Sequence, residues 1–410
     1  MKLLKIIVYL PFLFLVLILM MIRPLKILRF HEILSDRIGH FGCIIELYLC
    51  QRDLNNKKYL KEKYLDFFCF SSNVCNLQIK KFWEKQLNIM PFRMVAGLIF
   101  WFNLLPSGSK HLVFFDKNSL RRWINFRHKD VNNLLDKSKI HYKFTDNEVK
   151  SNKNLLRKLG IDNSKKTALL FLRDNVYFKK VLKFKVNYSS VRDKNSNINT
   201  YTKSVKFLIK KGYQVIRVGK LSEKKLKINN KNYFDITNNS IANDSLQTYL
   251  ISKSKFLLST NSGITYAAAF IFRKPCLITN HIPHGHFHIE SKLLTINFKK
   301  VFSIKKKRLL KLTEIFQNNL SFNFSHKNYK KFNCRLIDQS ENEIYFSVLD
   351  FVKRVENKFK KEKKEKLLEQ KYIKNFNNII EKDPFRKNTF GVFKGNFGKN
   401  YLKRNKYLFY

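Results

Sequence analysis

Glycine is scarce in this chain, 12 residues in 410, and basic side chains outnumber acidic ones 81 to 30. The glycines nowhere fall into G-x-G-x-x-G or G-x-x-x-x-G-K-[ST]. In those spacings backbone N–H groups cradle a dinucleotide or a nucleoside triphosphate, so their absence argues against a nicotinamide-linked dehydrogenase and a P-loop ATPase. No G-x-S-x-G elbow is present, which disfavours an α/β hydrolase. Zinc-finger spacing, an RNP-like motif and a basic zipper are also missing, so no nucleic-acid module accounts for the charge. The six cysteines, Cys43, Cys50, Cys69, Cys75, Cys276 and Cys334, form no C-x-x-C pair. Their apolar or strand-like surroundings predict free, buried thiols in a reducing compartment.

What remains is a strongly basic chain with ample core. The formal net charge is +51, a field that attracts nucleic acid, anionic lipid and phosphorylated ligands without choosing among them. Lys, Asn, Ile and Phe are abundant together, and all four are encoded by A/T-rich codons. Part of the lysine excess therefore reads as compositional drift on solvated faces. An anionic membrane surface is the better partner, because the chain opens MKLLKIIVYLPFLFLVLILMMIRPLKILRF. Ile6 to Ile22 is an apolar run of about 17 residues, at the lower edge of a membrane span. Met20-Met21-Ile22-Arg23-Pro24 follows where a cleavable signal would need small residues, so an uncleaved anchor is expected over residues 1–30. Lys2 and Lys5 precede the run, while Arg23, Lys26 and Arg29 follow it. That slight bias favours a single pass through a bacterial inner membrane with the body on the cytoplasmic face.

A length of 410 residues implies two domains. Residues 31–150 form the first, with a loop and helix at Ser35 to Leu49 and a buried helix at Met94 to Pro106. His111 to Phe115 has the look of a strand. Thr145 and Glu148 stand at capping-box spacing before another helix. Residues 151–357 alternate strand and helix. Strands are expected at TALLFLRD, QVIRVG, NYFDIT, FLLST and PCLIT, with a helix from about Thr200 into Gly212 and one capped by Asn243 or Asp244. Such alternation predicts a parallel sheet with helices on both faces. A further helix is expected from Glu341 to Phe359. Residues 358–410 are a basic tail, partly helical or disordered.

In open parallel sheets, ligands bind beyond the carboxyl ends of the strands. The residues there are Arg173 after the first strand and Ser259-Thr260-Asn261-Ser262-Gly263 after the fourth. The latter turn opens a helix whose free N–H groups can hold phosphate, or it simply caps that helix. A strand-end arginine suits bidentate phosphate contact. Arg192, in the preceding loop, is placed to reach the same rim. His281, His284, His286 and His288 cluster without a recognisable zinc spacing, and a loop lining the cleft is the expected reading.

The motif DRIGHFGCIIELYL, together with FLRD, RDKNSNINTYTKSVKFLIKKGYQVIRVGK and DSLQTYLISKSKFLLSTNSGI, resembles an uncharacterised bacterial family of surface-polysaccharide glycosyltransferases. More distantly it is similar to GT-B heptosyltransferases and fucosyltransferases. The resemblance spans roughly residues 30–355. It implies an α/β fold of the GT-B kind, a pair of Rossmann-like domains preceded by the anchor helix, the first binding acceptor and the second a nucleotide-sugar donor. It implies donor contacts from Arg173, Ser259, Ser262 and Gly263, to which their place on the same rim adds Arg192, Thr260 and Asn261. Arg37, Gly39 and His40 match the N-terminal motif and Glu46 follows it on the same helix, these being the candidate catalytic residues, with His40 the candidate base because imidazole titrates near neutrality. No cofactor and no metal are expected, since basic groups and helix N-termini neutralise the leaving diphosphate. The acceptor would be lipid-linked or a polysaccharide, with no specific nucleic acid as partner. A different reading is a non-catalytic basic scaffold at the membrane, or a nucleic-acid-binding protein, driven by charge alone.

Overall fold

In the computed structural model the N-terminal apolar run folds as two helices, α1 (Lys2–Tyr9) and α2 (Pro11–Met21). The residues described throughout are 2–54, 64–113, 130, 133–176, 193–285, 291–318, 320–322, 326–381 and 393–409. Pro11 opens α2 at its first position, where its missing N–H costs nothing, and so marks the break between the two helices. Among the described residues no helix is long and apolar enough to cross a membrane. This corrects the expected spanning helix over residues 1–30. Instead, one side of α2 packs inward: Val16 and Leu19 are buried beside Phe30, Val95, Leu98 and Phe102. Gly97 makes that approach possible, because a Cβ there would lie 2.3 Å from the Phe12 ring. Trp101 Nε1 donates to the Tyr9 carbonyl at 2.6 Å.

Two compact units divide the chain, the first within residues 1–142 and the second over residues 143–410 together with Asp130. The first holds β1 (Ile27–Ile33), α3 (Ile38–Leu54), β2 (Tyr64–Phe70), α4 (Leu77–Gln86), β3 (Asn88–Ile89) and α5 (Phe92–Leu104). Its strands form a parallel three-stranded sheet in the order β1-β2-β3. Arg29 and Asp66 stand opposite each other in register and form a two-pronged ion pair, both contacts 2.6 Å. Tyr48 O–H completes the site by donating to Asp66 Oδ2 at 2.7 Å. The strand expected at His111 to Phe115 is reduced, in its described part, to a single bridge between Phe30 and Leu112.

The second unit begins with α6 (Asp146–Lys158), and its capping box is made as the spacing predicts. Glu148 N–H donates to Thr145 Oγ1 at 3.3 Å, and Thr145 N–H donates to Glu148 Oε2 at 2.9 Å. Then follow β4 (Thr167–Phe171), α7 (Thr202–Lys210), β5 (Gln214–Arg217), β6 (Tyr233–Asp235), α8 (Asp244–Lys253), β7 (Phe256–Ser259), α9 (Gly263–Ile271), β8 (Cys276–His281) and β9 (Leu294–Phe298). These six strands are parallel, in the order β6-β5-β4-β7-β8-β9. Counted from β4, that order is third, second, first, fourth, fifth, sixth, the doubly wound arrangement that reverses direction between its first and fourth strands. Gly212 ends α7 at φ +82°, and Asn243 caps α8 by accepting from Leu246 N–H at 2.9 Å, both as read from the sequence.

Ala168 and Leu170 of β4, with Leu172 just beyond it, share a core with Val205 and Leu208 of α7. Ile344, Val348 and Phe351 of α10 (Glu341–Val355) join the same core. Helix α8 touches β4 and α6 yet contributes nothing to that cluster, so it covers the sheet's opposite face. A small antiparallel sheet of β10 (Lys300–Ser303), β11 (Arg308–Leu309) and β12 (Cys334–Ile337) is appended. The tail is packed where it is described. Helices α11 (Lys363–Glu381), α12 (Lys399–Arg404) and α13 (Lys406–Phe409) bring Tyr372, Phe397 and Phe409 into an aromatic cluster with Phe298 of β9. Phenylalanine and tyrosine spaced among the lysines supply the buried contacts that composition alone concealed. All six cysteines are free, and all but Cys75 are fully buried.

Candidate functional site

The strand order reverses between β4 and β7, and the carboxyl ends of the strands at such a switch point are where sheets of this kind bind ligands. Arg173 follows β4 there, and Thr260 to Gly263 follow β7. The two ends are tied together: Arg173 N–H donates to Thr260 Oγ1 at 3.1 Å, and Thr260 N–H donates to the Phe171 carbonyl at 3.3 Å.

The turn itself is knitted by a residue the sequence reading passed over, Thr265. Its Oγ1 lies 2.8 Å from Ser259 Oγ, 3.3 Å from Ser262 Oγ and 3.3 Å from the Thr260 carbonyl. Asn261 is spent on the scaffold, donating to the Ile282 carbonyl at 2.9 Å and accepting from Tyr266 O–H at 2.5 Å. Ser259, Thr260 and Asn261 are buried within the protein. Ser262 is the N-cap of α9 with no side-chain capping bond, and Gly263 is the one residue of the turn that is half-buried. Ser262 is buried as well, and the first N–H groups of α9 have no partner within the helix. The spacing of Thr265 and Tyr266, one helical turn on, was the signal for their role. Arg192 lies outside the described residues.

The neighbouring loops are equally specific. Gly219, after β5, has φ +141° and sits against Phe171, so a side chain is disfavoured there twice over. Asp174 accepts from Glu223 N–H at 2.8 Å and fixes the loop after β5. Of the histidine cluster, His281 and His284 are buried. His284 stacks on Phe298 with ring centroids 4.6 Å apart, and its Nε2 lies 3.0 Å from the Lys299 carbonyl. Burial pushes its pKa down to about 4, making it a neutral core histidine. His286 and His288 lie outside the described residues.

In the first unit, His40 sits in the first turn of α3, and Arg37 in the exposed turn before it. Desolvation, then the Arg37 charge, lowers the His40 pKa against an opposing pull from Asp36, so the ring is neutral near pH 7. Arg37 pairs with Asp36 at 3.4 Å. Glu32, near the end of β1 and close to this turn, was not singled out in the sequence reading. Burial, reinforced by Asp36, raises its pKa. Glu46, grouped with His40 among the catalytic candidates, is not brought to it. Six positions on a helix turn the side chain by about 600°, so the two leave α3 on different sides. Glu46 is fully buried, with Oε1 3.2 Å from His141 Nδ1 and 3.9 Å from Cys50 Sγ. Burial works against charge on His141, but its contacts with Cys50, Glu46 and Asp53 prevail and raise its pKa to about 10.

The second unit is thus a doubly wound α/β domain with a strand-to-helix turn at its switch point. No family profile matches the sequence, and no curated protein matches it. Among solved structures the chain is similar to the ADP-heptose lipopolysaccharide heptosyltransferase II of E. coli, at 12% identity over 66% of this chain and 90% of that one, with a TM-score of 0.38. It is also similar to a glycosyltransferase of family 9 from Veillonella parvula, at 9% identity over 67% of this chain and 86% of that one, TM-score 0.40. The iron-containing heptosyltransferase TibC, solved with ADP-D-β-D-heptose, is similar at 10% identity over 66% of this chain and 64% of that one, TM-score 0.33. These likenesses are distant, and the assignment of the sheet rests on its own strand order.

Proposed function

We propose that the protein is a glycosyltransferase that binds a nucleotide-sugar donor at the switch point of the second unit. The observation that supports this reading is that the backbone of Arg173 is bonded to Thr260, two residues before the Ser262-Gly263 opening of α9, where the strand order reverses. A helix N-terminus and a guanidinium are the fittings for a diphosphate, which becomes the leaving group when an acceptor hydroxyl attacks the anomeric carbon. No metal is needed in this scheme, because the same two features stabilise the departing negative charge. We propose His40 as the group that takes the acceptor's proton: it is held neutral and therefore ready as a base near pH 7.

The acceptor is proposed to be lipid-linked or a surface polysaccharide, met at a cytoplasmic membrane surface. In place of a spanning anchor, α1 and α2 are proposed to lie in the plane of the membrane. Phe14 and Met21 are 72% and 78% exposed, Leu10 and Leu25 are also exposed, and Lys5, Arg23 and Lys26 flank them. An apolar face rimmed by cations suits anionic lipid.

The test is a panel of nucleotide-sugars in a thermal-shift screen of the full chain. A donor present at a hundred times its Kd should stabilise the fold by about 2.7 kcal/mol. Arg173→Ala should abolish the shift while leaving the unliganded melt in place. A panel without any shift, or a shift unchanged in Arg173→Ala, defeats the assignment.

A further inference from the structure

On α3, Glu46 and Cys50 are four residues apart and so project from one side of the helix. Both are fully buried, and the segment after the short helix Leu134–Lys137 delivers His141 to them. One ligand atom from each of Glu46, Cys50 and His141 can be chosen so that all three lie within 4.8 Å of one another. The carboxylate-to-imidazole distance is 3.2 Å and the thiol-to-carboxylate distance 3.9 Å. Around a tetrahedral Zn²⁺ with bonds of about 2.0–2.3 Å, two N or O ligands stand about 3.4 Å apart and sulfur stands about 3.6 Å from either. These two spacings are close to the edges of such a tetrahedron, and the third, sulfur to imidazole, is within 4.8 Å. The remaining nitrogen of His141, Nε2, is 2.9 Å from Asp53 Oδ2. A carboxylate behind a ligating imidazole fixes its tautomer and aims the other nitrogen at the metal. Among the described residues this is the one group of three or more such side chains with ligand spacing.

We propose that Glu46, Cys50 and His141 bind a Zn²⁺ ion, with Asp53 orienting the histidine. One sulfur, one nitrogen and one oxygen make a borderline set that suits zinc over calcium or magnesium, which want oxygen alone. An ion pair of histidine with two carboxylates would need no thiol, whereas here the sulfur is buried within reach of the same oxygen. The metal ties the segment around His141 to α3 inside the first unit, and three protein ligands leave its fourth position to water. This proposal stands apart from the donor site: it uses none of its residues and survives if the glycosyltransferase reading fails.

The experiment uses the full chain, stripped with a chelator and titrated with ZnCl₂ in a calorimeter, with metal content read after gel filtration. One equivalent of zinc should bind and raise the melting temperature. Cys50→Ser should lose the bound zinc, and Asp53→Asn, at a half-exposed position, should weaken binding 10- to 100-fold while still folding. Should Cys50→Ser fail to fold, Co²⁺ titration of the unmodified chain decides the matter, because a thiolate ligand gives a sulfur-to-cobalt charge-transfer band. Absence of zinc binding, absence of that band, or zinc retained undiminished by both variants overturns the proposal and leaves a plain Glu46–His141–Asp53 ion cluster.

Discussion

The backbone N–H of Arg173 donates to Thr260 Oγ1 at 3.1 Å, so the residue two beyond β4 is held by the hydroxyl just beyond β7. These strands flank the point where the sheet reverses order, and the bond fixes the arginine's backbone where a ligand would arrive. Thr260 is fully buried, so Thr260→Val keeps the shape but strands an amide. A cost of about 1–3 kcal/mol is expected in a denaturant melt. Thr260→Ser, which keeps the hydroxyl, should recover most of it, and a valine variant as stable as the parent would deny the bond its role.

Arg173 and Ser262 separate donor binding from folding. Arg173→Lys retains a charge but not the planar fork, so donor affinity by calorimetry should fall about tenfold, against a larger loss in Arg173→Ala. Ser262 has no capping bond and one long contact to Thr265 at 3.3 Å. Ser262→Ala should therefore move the melt by less than about 1 kcal/mol while weakening the donor. Equal affinity of parent and Ser262→Ala would leave the backbone N–H groups of α9 as the sole contacts of that turn.

Much of the second unit was legible because local signals agreed there. Apolar runs of four to six residues, the Thr145–Glu148 box, Asn243 and Gly212 each specify their element without help from distant contacts. The sixth strand, Leu294–Phe298, was hidden behind the histidine-rich loop, and β1 and β2 by charges within them. Arg29 and Asp66 look like surface residues in sequence, and only the register of two strands 37 residues apart shows them satisfying each other. The strand-end turn was found by its composition, but which members face a ligand was not. That depends on Thr265, whose hydroxyl ties the turn internally. The neighbours of Glu46 were not legible either, since only the fold delivers His141 to it.

The N-terminal helices should bind a membrane surface through residues that do nothing for the fold. Phe14→Glu with Met21→Glu removes exposed apolar groups and adds negative charge. Binding to vesicles containing phosphatidylglycerol, measured by flotation, should drop sharply without a change in melting temperature. Leu19→Ala, on the buried side, should do the reverse, costing about 2–5 kcal/mol of stability while sparing vesicle binding. Flotation unaffected by the double substitution would remove α1 and α2 from the membrane.

Acid should weaken the second unit through His284. Its ring is buried against Phe298, and burial lowers its pKa from 6.5 to about 4. In the unfolded chain the ring takes up a proton near pH 6.5, whereas in the folded chain it stays neutral until about pH 4. Between those values the unfolded state binds more protons, so stability rises with pH across that window. It is fully present above pH 6.5 and lost as pH falls towards 4, by about 3 kcal/mol. His40 and His111 have lowered values too and push in the same direction, so the contribution of His284 is a difference between chains. His284→Gln should cut the slope of unfolding free energy against pH between 6.5 and 4 by about one proton's worth. Urea melts at half-unit steps would measure it. An identical slope in the variant would mean that His284 is protonated as readily folded as unfolded.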